Sequence, residues 1–409
     1  MRILYLNPCG QMGGAETSLL ELLRSMRAAV PDWELWLVLG EDGPLADKAA
    51  RLGVEVRHAA FPRPLARVGD SAPHSLRALG ALALSAGSAL VYASRLAAVI
   101  AQIHPDVIHT NGLKMHVLGA WTAPKDTPVV WHIHDYVGRR RLMGRLLRRY
   151  SNRCATAIVN SHSVGVDLDA VLPAVKKRVV YNAIDLDRFS PSETRMDLDR
   201  ACGLPAAQAG TLRVGLVATF ARWKGHKIFL QALSLLPPEA RVRGYIIGGP
   251  IYQTSGSQWS FEELKAEADR LGLAGRIGFT GILDDPAAAM RSLDVVVHAS
   301  TEAEPFGMVI VEAMGCAKPV IVSRAGGALE LIEEGRTAFG HAPGDGPALA
   351  AAIERLAADE DLRSRMGTAA RAEACARFDG RRLAGELISA YRASRGESQE
   401  AAPALASLG

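Results

Sequence analysis

The sequence predicts an α/β protein of two doubly wound parallel-sheet domains, and three observations lead there. Short apolar runs bounded by Gly, Asn, Asp or Ser alternate with helical stretches almost from end to end. The runs lack strict apolar–polar alternation, which suits parallel strands covered on both faces. The chain has 409 residues, too many for one ordinary domain, and its pattern breaks once in a polar stretch.

In order, the strand-like runs of the first half are residues 3–6, 35–39, 54–56, 107–109, 129–134, 157–160 and 179–181. Those of the second half are 214–218, 245–247, 277–279, 295–298 and 320–322. The segments between them read as amphipathic helices; Phe229, Ala232, Leu233 and Leu236 recur at helical spacing on one face. Strand–helix alternation of this kind builds parallel sheets with right-handed crossovers. The break falls at 191–210, which holds Pro191, Pro205 and many small residues, and reads as an interdomain linker. The first domain is then 1–190, completed by a C-terminal helix near 376–395, and the second is 211–375. Residues 396–409 are rich in Ala, Ser and Glu and read as a disordered tail. In open parallel sheets the ligand sits beyond the carboxyl ends of the strands, so two facing sheets put two sets of strand-end loops on one cleft.

Composition narrows the class. With 49% hydrophobic and 22% charged residues, the chain has the make-up of a globular protein with ample core. A formal charge of +4 suits anionic ligands without calling for nucleic acid. The five cysteines, at 9, 154, 202, 316 and 375, form no C-x-x-C pair. They point away from disulfides and zinc and towards a reducing, cytoplasmic setting. The first strand starts at Arg2 without a charged leader, so no secretory signal is expected. Residues 78–94 carry no charge, but their Ala, Gly and Ser contribute little to insertion, which favours a domain helix over a membrane span.

The segment richest in chemistry is Thr301-Glu-Ala-Glu-Pro-Phe-Gly-Met-Val-Ile-Val-Glu-Ala-Met-Gly315. It follows a strand and predicts a helix opening near Pro305, where proline suits the first turn. Phe306, Gly307 and Met308 then offer backbone N–H groups at an end carrying about half a positive charge, an anion site suited to a diphosphate. Glu304 lies just outside that end and Glu312 lies two turns along. A carboxylate accepts two hydroxyl hydrogen bonds, so one can hold a sugar diol and the other a ribose diol. The plainer alternative is an acidic helix cap and a solvated glutamate.

Glu304-Pro-Phe-Gly, Glu312-Ala-Met314, Lys318-Pro-Val320 and the Gly326, Gly327 pair together resemble the signature of the retaining GT-B glycosyltransferases of family 4. Further matches run in order: Gly13-Gly-Ala-Glu16, Glu41-Asp-Gly-Pro-Leu45, Asp106-Val-Ile-His109, His132-Ile-His-Asp135, Asn182 to Pro191, and Phe279-Thr-Gly281. They span residues 1 to about 375. The resemblance implies a GT-B fold of two facing Rossmann-like domains. It also implies a UDP- or GDP-linked sugar donor held mainly by the second domain and an acceptor held mainly by the first. No cofactor beyond that co-substrate and no metal is expected.

Carried over residue by residue, the resemblance gives Glu304 to the transferred sugar, Glu312 to ribose and Lys224 to the diphosphate. A doubly charged leaving group needs cations, and without a metal they come from side chains and helix ends. Here the chain departs from the pattern: Thr219, itself an implied donor contact, stands where the family has arginine, and either Arg222 reaches the phosphates from a different angle or that charge is partly missing. The implied donor contacts further include Gly13 and Gly14 of the glycine loop, Gly248, Gly281 and Ile282 at strand exits, and Pro305, Phe306, Gly307 and Met308. His134, at a strand end, is implied to meet the transferred sugar; Asn111 and Asp135 are implied acceptor contacts. His109 and His132 have weaker claims, and His132 is expected to point the other way from His134.

Three Asp-x-Asp matches, at Asp167/Asp169, Asp185/Asp187 and Asp197/Asp199, are the pattern that holds a metal in a different glycosyltransferase fold. None follows a strand towards a plausible site, so none is read as a metal site. The stretch from Arg139 to Tyr150 has no acidic residue, and Leu142, Met143, Leu146, Leu147 and Tyr150 form an apolar stripe among arginines. Such a helix reads either as an anionic-membrane contact on the inner face or as a solvated helix packed on its domain. The function expected is retaining, metal-free hexosyl transfer to a glycan, lipid-linked or small-molecule acceptor. A nucleotide-sugar epimerase, a sugar phosphorylase and a non-catalytic partner subunit stay open as alternatives.

Overall fold

The computed structural model describes residues 1–62, 76–237, 239–250 and 256–397, with backbone alone over 76–86. The chain divides into two compact units, Met1–Asn182 together with the segment from Gly380, and Ala183–Asp379.

The first unit is built on a seven-stranded parallel sheet. Its strands are β1 (Arg2–Asn7), β2 (Glu34–Leu39), β3 (Glu55–His58), β4 (Val107–Asn111), β5 (Val129–Ile133), β6 (Cys154–Val159) and β7 (Lys177–Val179). Their spatial order is β3-β2-β1-β4-β5-β6-β7. The order reverses between β1 and β4, so the loops leaving these two strands diverge and leave a crevice at their carboxyl ends. Helix Gly14–Ala29 follows β1 after the loop of residues 8–13 and buries Leu19, Leu22, Leu23 and Met26, one face of a 3.6-residue period. Helix Leu383–Ser394 belongs to this unit, with Tyr391 fully buried. Tyr391 shares a 2.8 Å hydrogen bond with His109 Nδ1, and Arg382 donates to the carbonyls of Tyr181 and Asn182.

The second unit carries six parallel strands, β8 (Leu212–Val217), β9 (Val242–Ile247), β10 (Ile277–Gly281), β11 (Val295–His298), β12 (Val320–Ser323) and β13 (Ala338–His341). Their order is β10-β9-β8-β11-β12-β13, with the reversal between β8 and β11. Leu216, Phe229, Ile246, Val297 and Ile321 are buried in its core.

The expected α/β class of two Rossmann-like parallel-sheet units is therefore present. Every predicted run lies on or overlaps a strand, although 179–181 meets β7 at Val179 only. Strand β13 had no predicted run, because Ala338-Phe-Gly-His341 is short and a glycine interrupts it. Residues 183–210, read as the end of the first domain and a linker, group instead with the second unit. Polarity misled there: Asp199 is buried because Arg243 and the Tyr245 hydroxyl donate to its carboxylate at 2.6 and 2.7 Å. Among the described residues, no helix is long and apolar enough to cross a membrane. The C-terminal tail reading falls at 398–409 outside the described residues.

Candidate functional site

In the second unit the loops leaving β8 and β11 carry the residues of interest, and glycine lets them meet. Gly225 adopts φ +77, and a Cβ there would stand 1.8 Å from the Ala299 carbonyl oxygen. Thr301 ties the loops together by donating its N–H to the Trp223 carbonyl at 2.7 Å. Lys224 Nζ then reaches Glu304 Oε2 at 2.7 Å. The same oxygen accepts from Ser300 Oγ at 2.9 Å and lies 3.2 Å from His298 Nε2. Glu304 is held from its backbone too, its N–H donating to Ala325 and its carbonyl accepting from Gly327. Burial would raise the Glu304 carboxyl, but the Lys224 charge and the His298 hydrogen bond hold it well below the usual carboxylate range.

The helix after this loop opens later than expected. It runs Met308–Gly315 with Gly307 as its cap at φ +104, so Pro305 and Phe306 precede it rather than form its first turn. The reason is local: Glu304 pairs as a short parallel bridge with Gly326, which holds that segment extended. Phe306 is buried, Pro305 half-buried. Glu312 lies in the helix, half-buried, and its carboxyl has no hydrogen-bond or ion-pair partner among the described residues. Burial pushes that carboxyl up to about 7, against the pull of the Arg188 guanidinium.

Around β8, Thr219 is half-buried and carries no charge. Gly248 sits at φ +135, where a Cβ would stand 2.0 Å from the Ala218 carbonyl oxygen, and its N–H donates to the Gly281 carbonyl at 3.0 Å. Ile282, next along, is exposed. Arg222 is engaged elsewhere: its guanidinium lies over the Trp259 ring at 3.8 Å and donates to the Gly256 carbonyl and to Glu263. None of these contacts is with Glu304, so the structure does not bring Arg222 to the Lys224–Glu304 pair.

In the first unit a polar chain crosses the carboxyl ends of β1, β4 and β5. Asn7 Nδ2 donates to the Cys9 carbonyl at 2.5 Å and to Glu16 at 3.3 Å, and Asn111 Nδ2 donates to Asn7 Oδ1 at 2.6 Å. His134 Nε2 lies 2.5 Å from Asn111 Oδ1. Because Asn7 faces two acceptors with its amide nitrogen, the chain runs one way and places a proton on His134 Nε2. Glu16 also accepts from the Gly13 N–H, while Gly14 begins the helix with open space at its Cβ position. Burial lowers His134 to about 4, so the ring is neutral. Asp135 accepts from the Tyr136 N–H and pairs with Arg140 at 3.2 Å.

One expectation is corrected here. The His132 and His134 ring centroids are 4.0 Å apart, not on opposite faces, because side chains two positions apart share a face. The apolar stripe at 139–150 is also only partly available. Met143 and Leu147 are buried in the unit and Leu146 is half-buried, while Leu142 is exposed. The Asp-x-Asp residues serve the backbone and local pairs: Asp167 accepts from the Gly138 N–H, Asp185 from Arg188 and Asp197 from Arg200. Sequence reasoning passed over His298 and Ser300. The signal was a histidine ending a buried run on the switch strand, the pattern that had singled out His134.

Residues 12–188 match the family profile described as Glycosyltransferase Family 4, and residues 207–373 that of Glycosyl transferases group 1. The chain is 31% identical over 264 residues to the D-inositol 3-phosphate glycosyltransferase of Corynebacterium jeikeium, covering 60% of this chain and 60% of that protein. It is 29% identical over 307 residues to the sulfoquinovosyl transferase SQD2 of Arabidopsis thaliana, covering 69% of this chain and 56% of that one. The matches thus span about 60% or less of these curated relatives' own length. Among solved structures, Anabaena HepE in complex with UDP and glucose aligns over 95% of this chain and 98% of its own. Its TM-score is 0.77 and its identity 27%.

Proposed function

We propose that this chain, which belongs to the group 1 glycosyltransferases of family 4 and has the two Rossmann-like units of the GT-B fold, transfers a hexosyl group from a nucleoside diphosphate sugar with retention and without a metal. The observation that carries the reading is the pairing of Lys224 with Glu304 at the switch point of the second unit, beside a helix whose Glu312 has no hydrogen-bond partner among the described residues. Lys224 supplies charge for the diphosphate, Glu304 accepts from hydroxyls of the sugar, and Glu312 accepts from the ribose diol. HepE's complexes with UDP and with UDP-glucose support a uridine donor.

In the step proposed, the bond from the anomeric carbon to the phosphate oxygen breaks while the acceptor oxygen bonds to that carbon on the same face. The acceptor's proton passes to the departing phosphate, so charge and atoms balance without an enzyme nucleophile. His134, neutral and held by Asn111, serves as a hydrogen-bonding group for the sugar. The acceptor is taken up by the first unit near Asn111 and Asp135. That unit's arginines at 139–150 rest on an anionic membrane surface at the cytoplasmic side.

Incubation with UDP- and GDP-sugars, with and without candidate acceptors, tests the reading. Release of nucleoside diphosphate that depends on acceptor, continues in EDTA and gives a product of unchanged anomeric configuration is the expected result. Epimerised donor without acceptor, or release that depends on inorganic phosphate, would replace transfer with epimerase or phosphorylase chemistry.

A further inference from the structure

In the donor-site reading above, Lys224 and Glu304 serve different parts of one ligand, yet in this structure they hold each other. The ion pair is 2.7 Å long, and its side chains keep 21% and 9% of their exposure, so it lies largely out of water. Lys224 Nζ also sits 4.0 Å from the Trp223 ring centroid. Thr219 brings no charge, and Arg222 is committed to Trp259, Gly256 and Glu263. A diphosphate arriving at these loops therefore meets a cation that already has an anion.

We propose that Glu304 is the resident counter-anion of Lys224, that a donor diphosphate exchanges with it, and that the released carboxylate, kept in place by Ser300 and His298, then takes the sugar hydroxyls. Exchange is chemically reasonable because a diphosphate offers more charge and more acceptor oxygens than one carboxylate. Glu304 does not drift when Lys224 leaves. Ser300 Oγ and His298 Nε2 remain at 2.9 and 3.2 Å from its Oε2, and Ser300 is itself fixed by the Ser323 hydroxyl on its carbonyl at 2.6 Å. Both positioning residues are buried. While the pair is intact, the Lys224 charge and the His298 hydrogen bond together hold Glu304 ionised against its burial.

The arrangement sets an order. The nucleotide part must engage Lys224 before the sugar part finds an available Glu304, so a free sugar is a poor ligand until a diphosphate is bound. Ser300 and His298 become positioning residues for sugar recognition rather than incidental core.

Calorimetry on the full chain tests this with UDP, GDP and inorganic pyrophosphate as probes, against wild type, Glu304→Gln, Lys224→Met and the double variant. Glu304→Gln should bind each diphosphate that wild type binds about tenfold more tightly, since the competing charge is gone. That gain should vanish in the Lys224→Met background, which separates a direct exchange from a general change in local charge. Glu304→Asp, which shortens the carboxylate, should give a smaller gain and guards against misfolding of the glutamine variant, with thermal melts run on all five proteins. Unchanged or weaker pyrophosphate binding by both position-304 variants overturns the exchange, as does an equal gain without Lys224. Failure of UDP and GDP to bind while pyrophosphate follows the expected pattern would instead remove the nucleotide-sugar reading and leave the exchange standing.

Discussion

At the scale of single residues, Glu312 shows most clearly how surroundings set chemistry. Its carboxyl titrates near 7 because burial disfavours the charge, and no described residue hydrogen-bonds it. The ionised form accepts from two ribose hydroxyls, whereas the protonated form gives up part of that capacity. Nucleoside diphosphate affinity should therefore rise as pH goes from about 6 to about 8 and then level off. Glu312→Gln should flatten the profile and cost roughly 1–3 kcal/mol at the high end. Calorimetry at several pH values decides the matter: a flat wild-type profile would remove Glu312 from the ribose. Lys224→Ala should cost about 2–4 kcal/mol in kcat/KM, the scale of losing one preorganised donor to developing charge. Steady-state kinetics within a factor of three of wild type would show that the charge comes from elsewhere. Both residues were legible in the sequence because each sits in a recognisable local motif. The pairing of Lys224 with Glu304 was not, since 80 residues separate the two and only the β8–β11 adjacency brings their loops together. His298 and Ser300 were missed for the same reason: their meaning lies in what they touch.

Among elements, the strands were legible wherever burial on both faces left an unbroken apolar run, as in β1, β5 and β11. Strand β13 lies at the edge of its sheet, and its short, glycine-bearing sequence leaves no such trace. The segment around Asp199 failed in the opposite sense, its polar residues being paired inward rather than solvated. Helix Arg141–Tyr150 divides the same way. Met143 and Leu147 belong to the core, while Leu142 and most of the arginines face outward. Arg139 lies over the Tyr136 ring, Arg140 is spent on Asp135 and Arg148 on the Val171 carbonyl, which leaves Arg141, Arg145 and Arg149, the last beside the Tyr150 ring, as the outward charges of the helix. Each is worth about 1 kcal/mol near anionic lipid. With the stripe half used, the attraction is mainly electrostatic and decays over about 8 Å at physiological ionic strength. In liposome flotation the protein should bind phosphatidylserine-containing vesicles at low salt and release at high salt. Changing Arg141, Arg145 and Arg149 to Gln should abolish binding without lowering thermal stability. Equal binding to zwitterionic vesicles, or none to anionic ones, would make the helix an ordinary domain surface.

For the whole molecule, the two units differ in how they carry buried histidine, and acid should separate them. The first unit holds His109, His116 and His132 buried and His134 half-buried, all kept neutral by desolvation, with His109 near 3 and His134 near 4. Each has a folded pKa below its unfolded value of about 6.5, so between those values the unfolded chain binds the proton and the folded chain does not. Stability from these groups is present above about pH 6.5 and drains away as pH falls towards 4. The second unit has fewer such groups, with His226 near 4 and His341 lowered. It also has an opposing one: Glu312, raised to about 7, binds its proton more readily folded than unfolded, so it adds stability as pH falls from 7 to about 4.5. Glu304 works the other way, but only below the ordinary carboxylate range. Between about pH 7 and pH 5 the first unit should therefore weaken by several kcal/mol while the second changes little. Hydrogen exchange read by mass spectrometry resolves this, because peptides from β1, β4 and β5 report one unit and those from β8, β11 and β12 the other. Protection should fall first in the former set as pH is lowered, after correction for the intrinsic exchange rate. Parallel loss in both sets, or earlier loss around β8 and β11, would mean that the histidine cluster is not what sets the acid limit of the fold.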